Sequence, residues 1–235
     1  MAGAVVGAIG ERTDAEVAGA LGESQRLPES GEGIDVLIDF TSPEGAVAHA
    51  RWCMENGIAL VTGTTGLETS HQAAIDRAAQ SVAVVQSPNM SVGVNLTFDL
   101  AKRATEVLGA SADIEIVETH HRYKMDAPSG TAVRLGEVIA EARDTSLAES
   151  GNYGRKGLIG PRPVGEIGMM TLRGGDVVGE HTATFFLDGE RVEITHRATD
   201  RAIFARGAVR AAVWAADRAA GAYDMADVLD SSLSE

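Results

Sequence analysis

The sequence predicts an α/β protein in which a parallel sheet with crossover helices is followed by a second, α+β domain. Two observations support this class. Short apolar runs alternate with helical patterns over residues 4–87, which is typical of parallel strands joined by helices. After residue 90 the pattern changes to longer helices and a strand hairpin, which indicates antiparallel pairing.

Four apolar runs are the predicted strands of the parallel sheet. They are AVVGAIG (4–10), IDVLIDF (34–40), IALVTG (58–63) and VAVVQS (82–87). Between the second and third runs, Ser42 and Pro43 supply a helix cap and a proline at the first helical position, and Gly57 follows the helix end. This pattern predicts a helix over residues 43–56.

The second half contains fewer but longer elements. The predicted elements are a helix to residue 108, a strand at 113–118, a helix from 130 to about 143, a loop at 144–166, the strand IGMMTLR and a hairpin. Asp188 and Gly189 form a strong two-residue turn signal, so His181 should face His196 across the hairpin. The sheet is expected to be antiparallel or mixed, and a last helix from Arg201 to return to the first domain. The predicted domains are therefore 1–90 plus 202–235, and 91–201.

Composition excludes several classes of partner. The chain has 34 acidic and 20 basic residues, and this net charge of -14 disfavours binding to nucleic acid or to anionic lipid surfaces. Cys53 is the only cysteine, so no disulfide framework exists, and its apolar surroundings predict a buried thiol rather than a nucleophile. Because no apolar run has the length of a membrane span and no signal peptide is recognisable, a cytoplasmic protein is expected.

The stretch THHRYKMDAPSGTA, residues 119–132, concentrates the candidate chemistry. His120 and His121 stand at the end of a predicted strand, where functional side chains collect. Lys124 follows, and an ammonium close to other cations or partly desolvated can release a proton, whereas guanidinium keeps its own.

The helix that begins after this cluster adds an anion-binding feature. Ser129 is its predicted cap, and the amides of Gly130 and Thr131 lie at the positive end of the helix dipole. Together with the imidazoles and the ammonium, they predict a pocket for a small dianion with a proton donor beside it. The alternative is a basic surface loop followed by an ordinary capped helix.

The histidine pair of the hairpin raises the question of a metal site. His181 and His196 are predicted to be direct neighbours on the apolar face of the ribbon. Two imidazoles with no cysteine nearby fall short of a typical zinc site, so hydrogen-bonded sheet histidines are the preferred interpretation. No metal is predicted, and a metal hydrolase is kept only as a distant alternative.

Several motifs resemble one family in order along nearly the whole chain. They are IDFTSPEGAVAHARWC, VTGTTG, SPNMSVGVN, ETHHRYKMDAPSGTA, GDVVGEHTATF, FARGAVRAAVW and YDMADVLD. This set resembles 4-hydroxy-tetrahydrodipicolinate reductase, also called dihydrodipicolinate reductase, of diaminopimelate and lysine biosynthesis. The resemblance implies a Rossmann-like dinucleotide-binding domain, here residues 1–90 plus 202–235. It also implies a substrate-binding and oligomerisation domain, here residues 91–201, and a homotetramer built through the sheet of that second domain.

The resemblance also implies roles for individual residues. His120 is then an acid/base group, and Lys124 gives a proton to the substrate. The carboxylates of a small dicarboxylate substrate are then held by His121, Ser129, Gly130 and Thr131. The cofactor, NADPH or NADH, is then contacted by Gly63, Thr64, Thr65, Ser87, Asn89 and Met90, although family members commonly carry phenylalanine at the last of these positions.

Residues near the N-terminus are candidates for the other end of the cofactor. If residues 4–10 form a strand, Glu11 is placed to accept the adenosine ribose hydroxyls and Arg12 to meet a 2'-phosphate. This pair favours the use of both NADH and NADPH. On its own, a Glu-Arg pair after a strand is usually a solvated turn.

The chain departs from the family at its beginning. The family's first strand and glycine-rich phosphate turn are missing, and Gly3, Gly7 and Gly10 do not have the G-x-G-x-x-G spacing. We expect a misplaced start, with a shortened paralogue as the competing explanation. The corresponding alternative function is a non-catalytic module that binds a dianion and has lost its dinucleotide.

Overall fold

A computed structural model describes residues 1–22 and 26–230, which form two compact units. One unit combines the residues up to Val92 with those from Ala202 onward, and the other is Gly93–Arg201. The α-helices are α1 (Ala2–Gly10), α2 (Pro43–Asn56), α3 (Thr69–Ala79), α4 (Val92–Leu108), α5 (Gly130–Glu141), α6 (Leu147–Ser150), α7 (Ala202–Ala216) and α8 (Met225–Asp230). The strands are β1 (Val36–Asp39), β2 (Ala59–Thr62), β3 (Ala83–Gln86), β4 (Asp113–His120), β5 (Gly151–Asn152), β6 (Ile167–Arg173), β7 (Gly179–Leu187), β8 (Glu190–Ala198) and β9 (Gly221–Tyr223).

The first unit contains a parallel sheet with helices on both faces. Its strand order is β1-β2-β3-β9, and all three pairings are parallel. Leu60 and Val84 pack with α2 and α3, whereas Val61 and Val85 pack with α7 and α8 on the opposite face. The predicted strands at 34–40, 58–63 and 82–87 and the Rossmann-like class are confirmed.

Helix α2 begins and ends where its sequence signals predict. The side chain of Ser42 accepts a hydrogen bond from the backbone N–H of Gly45 at 3.2 Å, and Pro43 occupies the first turn. Gly57 ends the helix in the left-handed region, at a φ of 69°, where a residue without Cβ is favoured.

The prediction of a strand at residues 4–10 is wrong. This segment is helix α1, and its glycines lie within the helix. Val5 and Ala8 lie three residues apart on one face and pack against Ala205 and Val209 of α7. A short apolar run fits a buried helix as well as a strand, so packing against α7 decides between them.

The second unit contains a mixed sheet of order β5-β6-β4-β7-β8. Strand β4 pairs parallel with β6 and antiparallel with β7, and β7 and β8 form the predicted hairpin. Its register is the expected one, with Leu187 opposite Glu190 and His181 opposite His196. The apolar face of the sheet packs on α4 and α5 through a core that includes Ile116, Leu135 and Phe185.

The segment predicted as a loop, residues 144–166, contains the short elements α6 and β5. Two arginines attach it to the sheet. Arg155 contacts Glu115 of β4 at 2.8 Å and also pairs with Glu166, and Arg162 contacts Glu115 at 3.2 Å.

Among the described residues, no helix combines the length and apolar character needed to cross a membrane.

Candidate active site

Strand β4 carries two polar residues on a face that is otherwise apolar. Its alternation places Ile114, Ile116, Glu118 and His120 on the buried side. Glu118 is only 1% exposed and His120 is 9% exposed. A buried carboxylate on an apolar strand face requires partners that compensate its charge.

Five hydrogen bonds to Glu118 supply that compensation. Its Oε2 accepts from Nδ1 of His120 at 2.5 Å and from the guanidinium of Arg173 at 2.8 Å. Its Oε1 accepts from Arg173 at 2.8 Å, from the backbone N–H of Ser129 at 3.0 Å and from the hydroxyl of Thr171 at 3.2 Å. Burial raises the pKa of Glu118, but the hydrogen bonds from Arg173, His120 and Ser129 outweigh it and bring the pKa to about 2.

Burial keeps His120 a neutral imidazole at neutral pH. Burial lowers its pKa, the carboxylate of Glu118 opposes this, and the positive charges of Lys124 and Arg173 lower it further. The ring donates its Nδ1–H to Glu118, which leaves a lone pair on Nε2. Nε2 faces Gly179, where a Cβ atom would stand only 2.9 Å away.

Lys124 lies in the same charged cluster as His120. Its Nζ is 2.8 Å from Asp126 Oδ1, and its side chain is 21% exposed. Its charge lowers the pKa of both His120 and His181, so it acts on both rings. Arg173 also donates to the backbone carbonyl of Asp126 at 2.7 Å, which connects this loop to Glu118.

Ser129 is the N-cap of α5, as its sequence position predicts. Its Oγ accepts the backbone N–H of Ala132 at 3.2 Å, and Gly130 and Thr131 form the first turn. The same hydroxyl lies 2.9 Å from Nε2 of His181. The start of the helix is therefore fixed to the sheet by buried side chains.

His121 lies on the other side of the strand end. It is partly exposed, and its Nε2 lies 3.4 Å from the guanidinium of Arg201. Adjacent strand residues point to opposite faces, so His120 and His121 have different surroundings. The guanidinium of Arg201 adds positive charge near the end of β4.

His181 belongs to this cluster, although its sequence pattern indicated only a sheet histidine. It is 5% exposed, and its ring stands edge-on to that of His120 at 5.2 Å between centroids. Burial is the largest cause that lowers its pKa to about 4, and the positive charge of Lys124 acts in the same direction, whereas Glu118 opposes it. In the part of the chain that the structure describes, no group of three or more His, Cys, Asp or Glu side chains could hold a metal ion.

The carboxyl ends of β1 and β2 carry a second hydrogen-bond network, centred on Asp39. Its carboxylate accepts from the hydroxyls of Thr41 and Thr64 at 2.6 Å and of Thr62 at 2.8 Å. Nδ1 of His49 lies 2.7 Å from the same carboxylate. Burial raises the pKa of Asp39, but the bonds from His49 and the three threonines outweigh it and lower the pKa below its ordinary value. The segment that follows β2 is thus fastened to the end of β1.

The predicted cofactor residues follow the ends of β2 and β3. Gly63 and Thr65 flank the buried Thr64, and a Cβ at Gly63 would clash with the ring of Phe40. After β3, the hydroxyl of Ser87 donates to the carbonyl of Asn89 at 2.8 Å, and Asn89 Oδ1 accepts from the N–H of Ser91 at 2.9 Å. In a parallel sheet these two segments stand at the same edge, where nucleotides bind.

The side chain of Met90, a residue predicted to contact the cofactor, lies in the core. It is 1% exposed and packs in the core between the sheet and α7, while its backbone lies against Gly207. Its thioether therefore has no free face to stack on a cofactor, and only backbone atoms remain for that contact.

The placement of Glu11 and Arg12 at the end of a strand is also wrong. Both follow helix α1, because residues 4–10 are helical. Glu11 contacts Arg206 at 3.1 Å, and Arg12 pairs with Asp14 at 2.5 Å. The geometric reason for assigning them to the adenosine ribose and a 2'-phosphate is therefore removed.

Sequence reasoning missed Glu118, Arg173 and Asp39 as parts of the site. The available signal was the acidic residue on the buried face of a strand, at Glu118 and again at Asp39. Arg173 carries no such signal, because its partner lies 55 residues away in the chain.

Comparison with known proteins identifies the family of the chain. The profile described as "Dihydrodipicolinate reductase, N-terminus" matches residues 2–90, and "Dihydrodipicolinate reductase, C-terminus" matches residues 93–229. A 4-hydroxy-tetrahydrodipicolinate reductase of Anaeromyxobacter dehalogenans (strain 2CP-C) is 59% identical over 197 residues, which are 84% of this chain and 73% of the relative. One from Chromobacterium violaceum is 54% identical over 198 residues, which are 84% of this chain and 74% of the relative.

A solved structure has the same fold. The dipicolinate-bound dihydrodipicolinate reductase from Paenisporosarcina sp. TG-14 aligns with a TM-score of 0.66 and 25% sequence identity. The alignment covers 81% of this chain and 71% of the solved one. Since both halves of the family profile match in order and several relatives exceed half identity, the chain belongs to the dihydrodipicolinate reductase family.

Proposed function

We propose that this chain reduces 4-hydroxy-tetrahydrodipicolinate to tetrahydrodipicolinate in lysine and diaminopimelate biosynthesis, with NADPH or NADH as the reductant. One observation carries the proposal. A neutral His120 held by Glu118 and an ammonium at Lys124 lie in one cluster with the capped start of α5. The names of the relatives indicate the substrate that this cluster would bind and protonate.

The second unit supplies the substrate-binding groups. We assign the two carboxylates of the substrate to His121 and to the turn formed by Ser129, Gly130 and Thr131. The first turn of α5 offers backbone N–H groups and the positive end of its dipole, which favour a carboxylate. The interactions of Ser129 with His181 and Ala132 keep this turn in place before substrate arrives.

Proton handling divides between two residues. The product lacks the 4-hydroxyl group, so this group leaves as water and a conjugated ring results, which can accept a hydride at one carbon. Lys124 gives a proton to the neighbouring ring carbon, because its ammonium carries protons whereas the neutral Nε2 of His120 has only a lone pair. His120 accepts a hydrogen bond or a proton at Nε2 in the same cycle. One hydride, one proton and the loss of water balance the reaction.

The first unit supplies the cofactor-binding groups. Gly63, Thr64, Thr65, Ser87 and Asn89 follow the carboxyl ends of parallel strands. They supply backbone amides, the exposed hydroxyl of Thr65 and the carboxamide of Asn89, which suit the uncharged polar edge of nicotinamide and its ribose. When bound, reduced nicotinamide supplies the hydride. Asp39 holds Thr64 and so keeps this segment ordered.

Calorimetric titration combined with a turnover assay tests the proposal. We expect both NADPH and the substrate analogue pyridine-2,6-dicarboxylate to bind, and NADPH to be oxidised only when 4-hydroxy-tetrahydrodipicolinate is added. If the analogue binds while NADPH neither binds at millimolar concentration nor is oxidised, the chain is a dianion-binding module and the reductase proposal fails.

Assembly and location complete the proposal. The family resemblance supports a homotetramer that forms through the sheet of the second unit, and sedimentation analysis of the purified chain measures its mass directly. A sedimenting monomer at micromolar concentration would contradict this assembly. An enzyme that consumes NADPH or NADH in amino-acid synthesis also fits a cytoplasmic location, which fractionation of the source cells tests.

A further inference from the structure

We propose that Glu118 is a positioning residue that fixes the tautomer of His120. The inference deepens the proposed function and rests on it, because it concerns the acid/base group of that reaction. Glu118 has no direct role toward the substrate. It acts through the imidazole, whose orientation and proton position it determines.

The geometry leaves one neutral tautomer for His120. Glu118 and His120 lie two residues apart on the buried face of β4, and Oε2 is 2.5 Å from Nδ1. An ionised carboxylate can only accept hydrogen bonds, so the hydrogen of the neutral ring must reside on Nδ1. Nε2 then presents a lone pair beside the bare backbone of Gly179.

The other partners of Glu118 prevent the carboxylate from turning away. Arg173 of β6 binds both of its oxygens, and the N–H of Ser129 binds Oε1 from the start of α5. The carboxylate thus joins two strands and the helix that receives the substrate. Arg173 also reaches the carbonyl of Asp126 in the loop that carries Lys124, so a single buried group holds all three parts of the site.

The charged groups around the ring act in opposite directions. The carboxylate of Glu118, on the same strand, raises the pKa of His120. The charges of Lys124 in the following loop and of Arg173 on β6 lower it. His181 of β7 approaches edge-on and is itself neutral because of its burial. A ring with this environment keeps Nε2 free of a proton before the substrate binds, so we assign the proton for the substrate to Lys124.

Nitrogen NMR of the protein labelled with ¹⁵N-histidine tests the tautomer without any substrate. At neutral pH we expect His120 to show a protonated Nδ1 and an unprotonated Nε2. In Glu118→Gln the carboxamide can donate to Nδ1, so the population of the Nε2–H tautomer should rise. Thr171→Val is the matched control, because it removes another hydrogen bond to the same carboxylate without touching the ring.

Turnover provides the second readout. Glu118→Gln should lower kcat at least about tenfold, because the wrong tautomer presents N–H where a lone pair is needed, and leave KM for NADPH unchanged. Thr171→Val should stay within about twofold of the original kcat. Glu118→Asp keeps the charge opposite Arg173 and withdraws it from His120, so it covers the case in which the glutamine variant does not fold.

Two results would overturn the inference. One is an Nε2–H tautomer of His120 in the unsubstituted protein. The other is a folded Glu118→Asp or Glu118→Gln protein with unchanged kcat. Failure of the proposed function is distinguishable, since it appears as an inactive protein whose NMR tautomer is still the predicted one.

Discussion

Replacing Asp39 by asparagine should destabilise the protein and weaken its hold on the cofactor-binding segment. The carboxylate accepts from three threonine hydroxyls and interacts with His49, at 2.6 to 2.8 Å. Asparagine has nearly the same shape but carries no charge, and half of its head group is a donor that faces other donors.

The magnitude follows from these four bonds. A hydrogen bond to a charged group contributes about 1 kcal/mol more than one between neutral groups, so the loss over four bonds is about 4 kcal/mol. Burying a neutral amide costs less desolvation free energy than burying a carboxylate, and this difference offsets about 2 kcal/mol of the loss. The expected loss in the free energy of unfolding is therefore about 2 kcal/mol.

Denaturant unfolding at several pH values measures this loss. The pKa of Asp39 is lowered in the folded protein, so its carboxylate contributes stability above its ordinary pKa of about 3.9. That contribution disappears as the pH falls through the lower, folded value. Asparagine does not titrate, so the difference between the two proteins should be constant near neutral pH and shrink in acid.

Thr41→Val is the control, because it removes one donor from Asp39 without altering the segment after β2. It should cost about 1 kcal/mol and leave KM for NADPH nearly unchanged, whereas Asp39→Asn should raise that KM because Thr64 loses its anchor. An Asp39→Asn protein with unchanged unfolding midpoint and unchanged KM at neutral pH would refute the role assigned to this carboxylate.

Three further predictions follow from the same structure. Lys124→Arg keeps the positive charge, but a guanidinium does not release its protons, so kcat should fall about 100-fold or more. NADPH binding measured by calorimetry should be preserved. Full turnover in this variant would remove the donor assignment. Gly63→Ala places a Cβ against the ring of Phe40, so it should destabilise the protein by about 1–3 kcal/mol and weaken NADPH binding. Adding Phe40→Leu to this variant should restore part of the stability and of the binding. The absence of any restoration would argue against the clash. Cys53 is fully buried and its pKa is raised to about 12, chiefly by burial, so a thiol reagent should label it at neutral pH only after denaturant is added, and rapid labelling of the folded protein would contradict its placement.

The helices and strands that the sequence predicted well carry strong local signals. Ser42, Pro43 and Gly57 defined α2, and the Asp188-Gly189 turn defined the hairpin register, since each depends on a few adjacent residues. The segment 4–10 lacks such a signal. Its apolar residues fit either structure, and its contacts with Ala205 and Val209 lie far away in the sequence.

The candidate site was predicted in part for the same reason. His120, Lys124 and Ser129 lie within ten residues of one another, so a single stretch indicated them. Glu118 was overlooked because its partners are distant in the sequence. Arg173 reaches it through the pairing of β4 with β6, and Ser129 reaches it because α5 packs on the sheet. The sequence indicated only that His181 pairs with His196 across the hairpin. Its hydrogen-bond partner is Ser129, which lies 52 residues earlier.

Isotope transfer shows whether the hydride comes from nicotinamide and the proton from an ammonium that exchanges with water. The chain would be supplied with 4-hydroxy-tetrahydrodipicolinate and NADPH deuterated at the transferable position, in ordinary water. We expect tetrahydrodipicolinate with one deuterium on a ring carbon, and the same reaction with ordinary NADPH in deuterium oxide should place deuterium on the neighbouring carbon. Product without deuterium, or a cofactor that keeps its label while both ligands are bound, would contradict it.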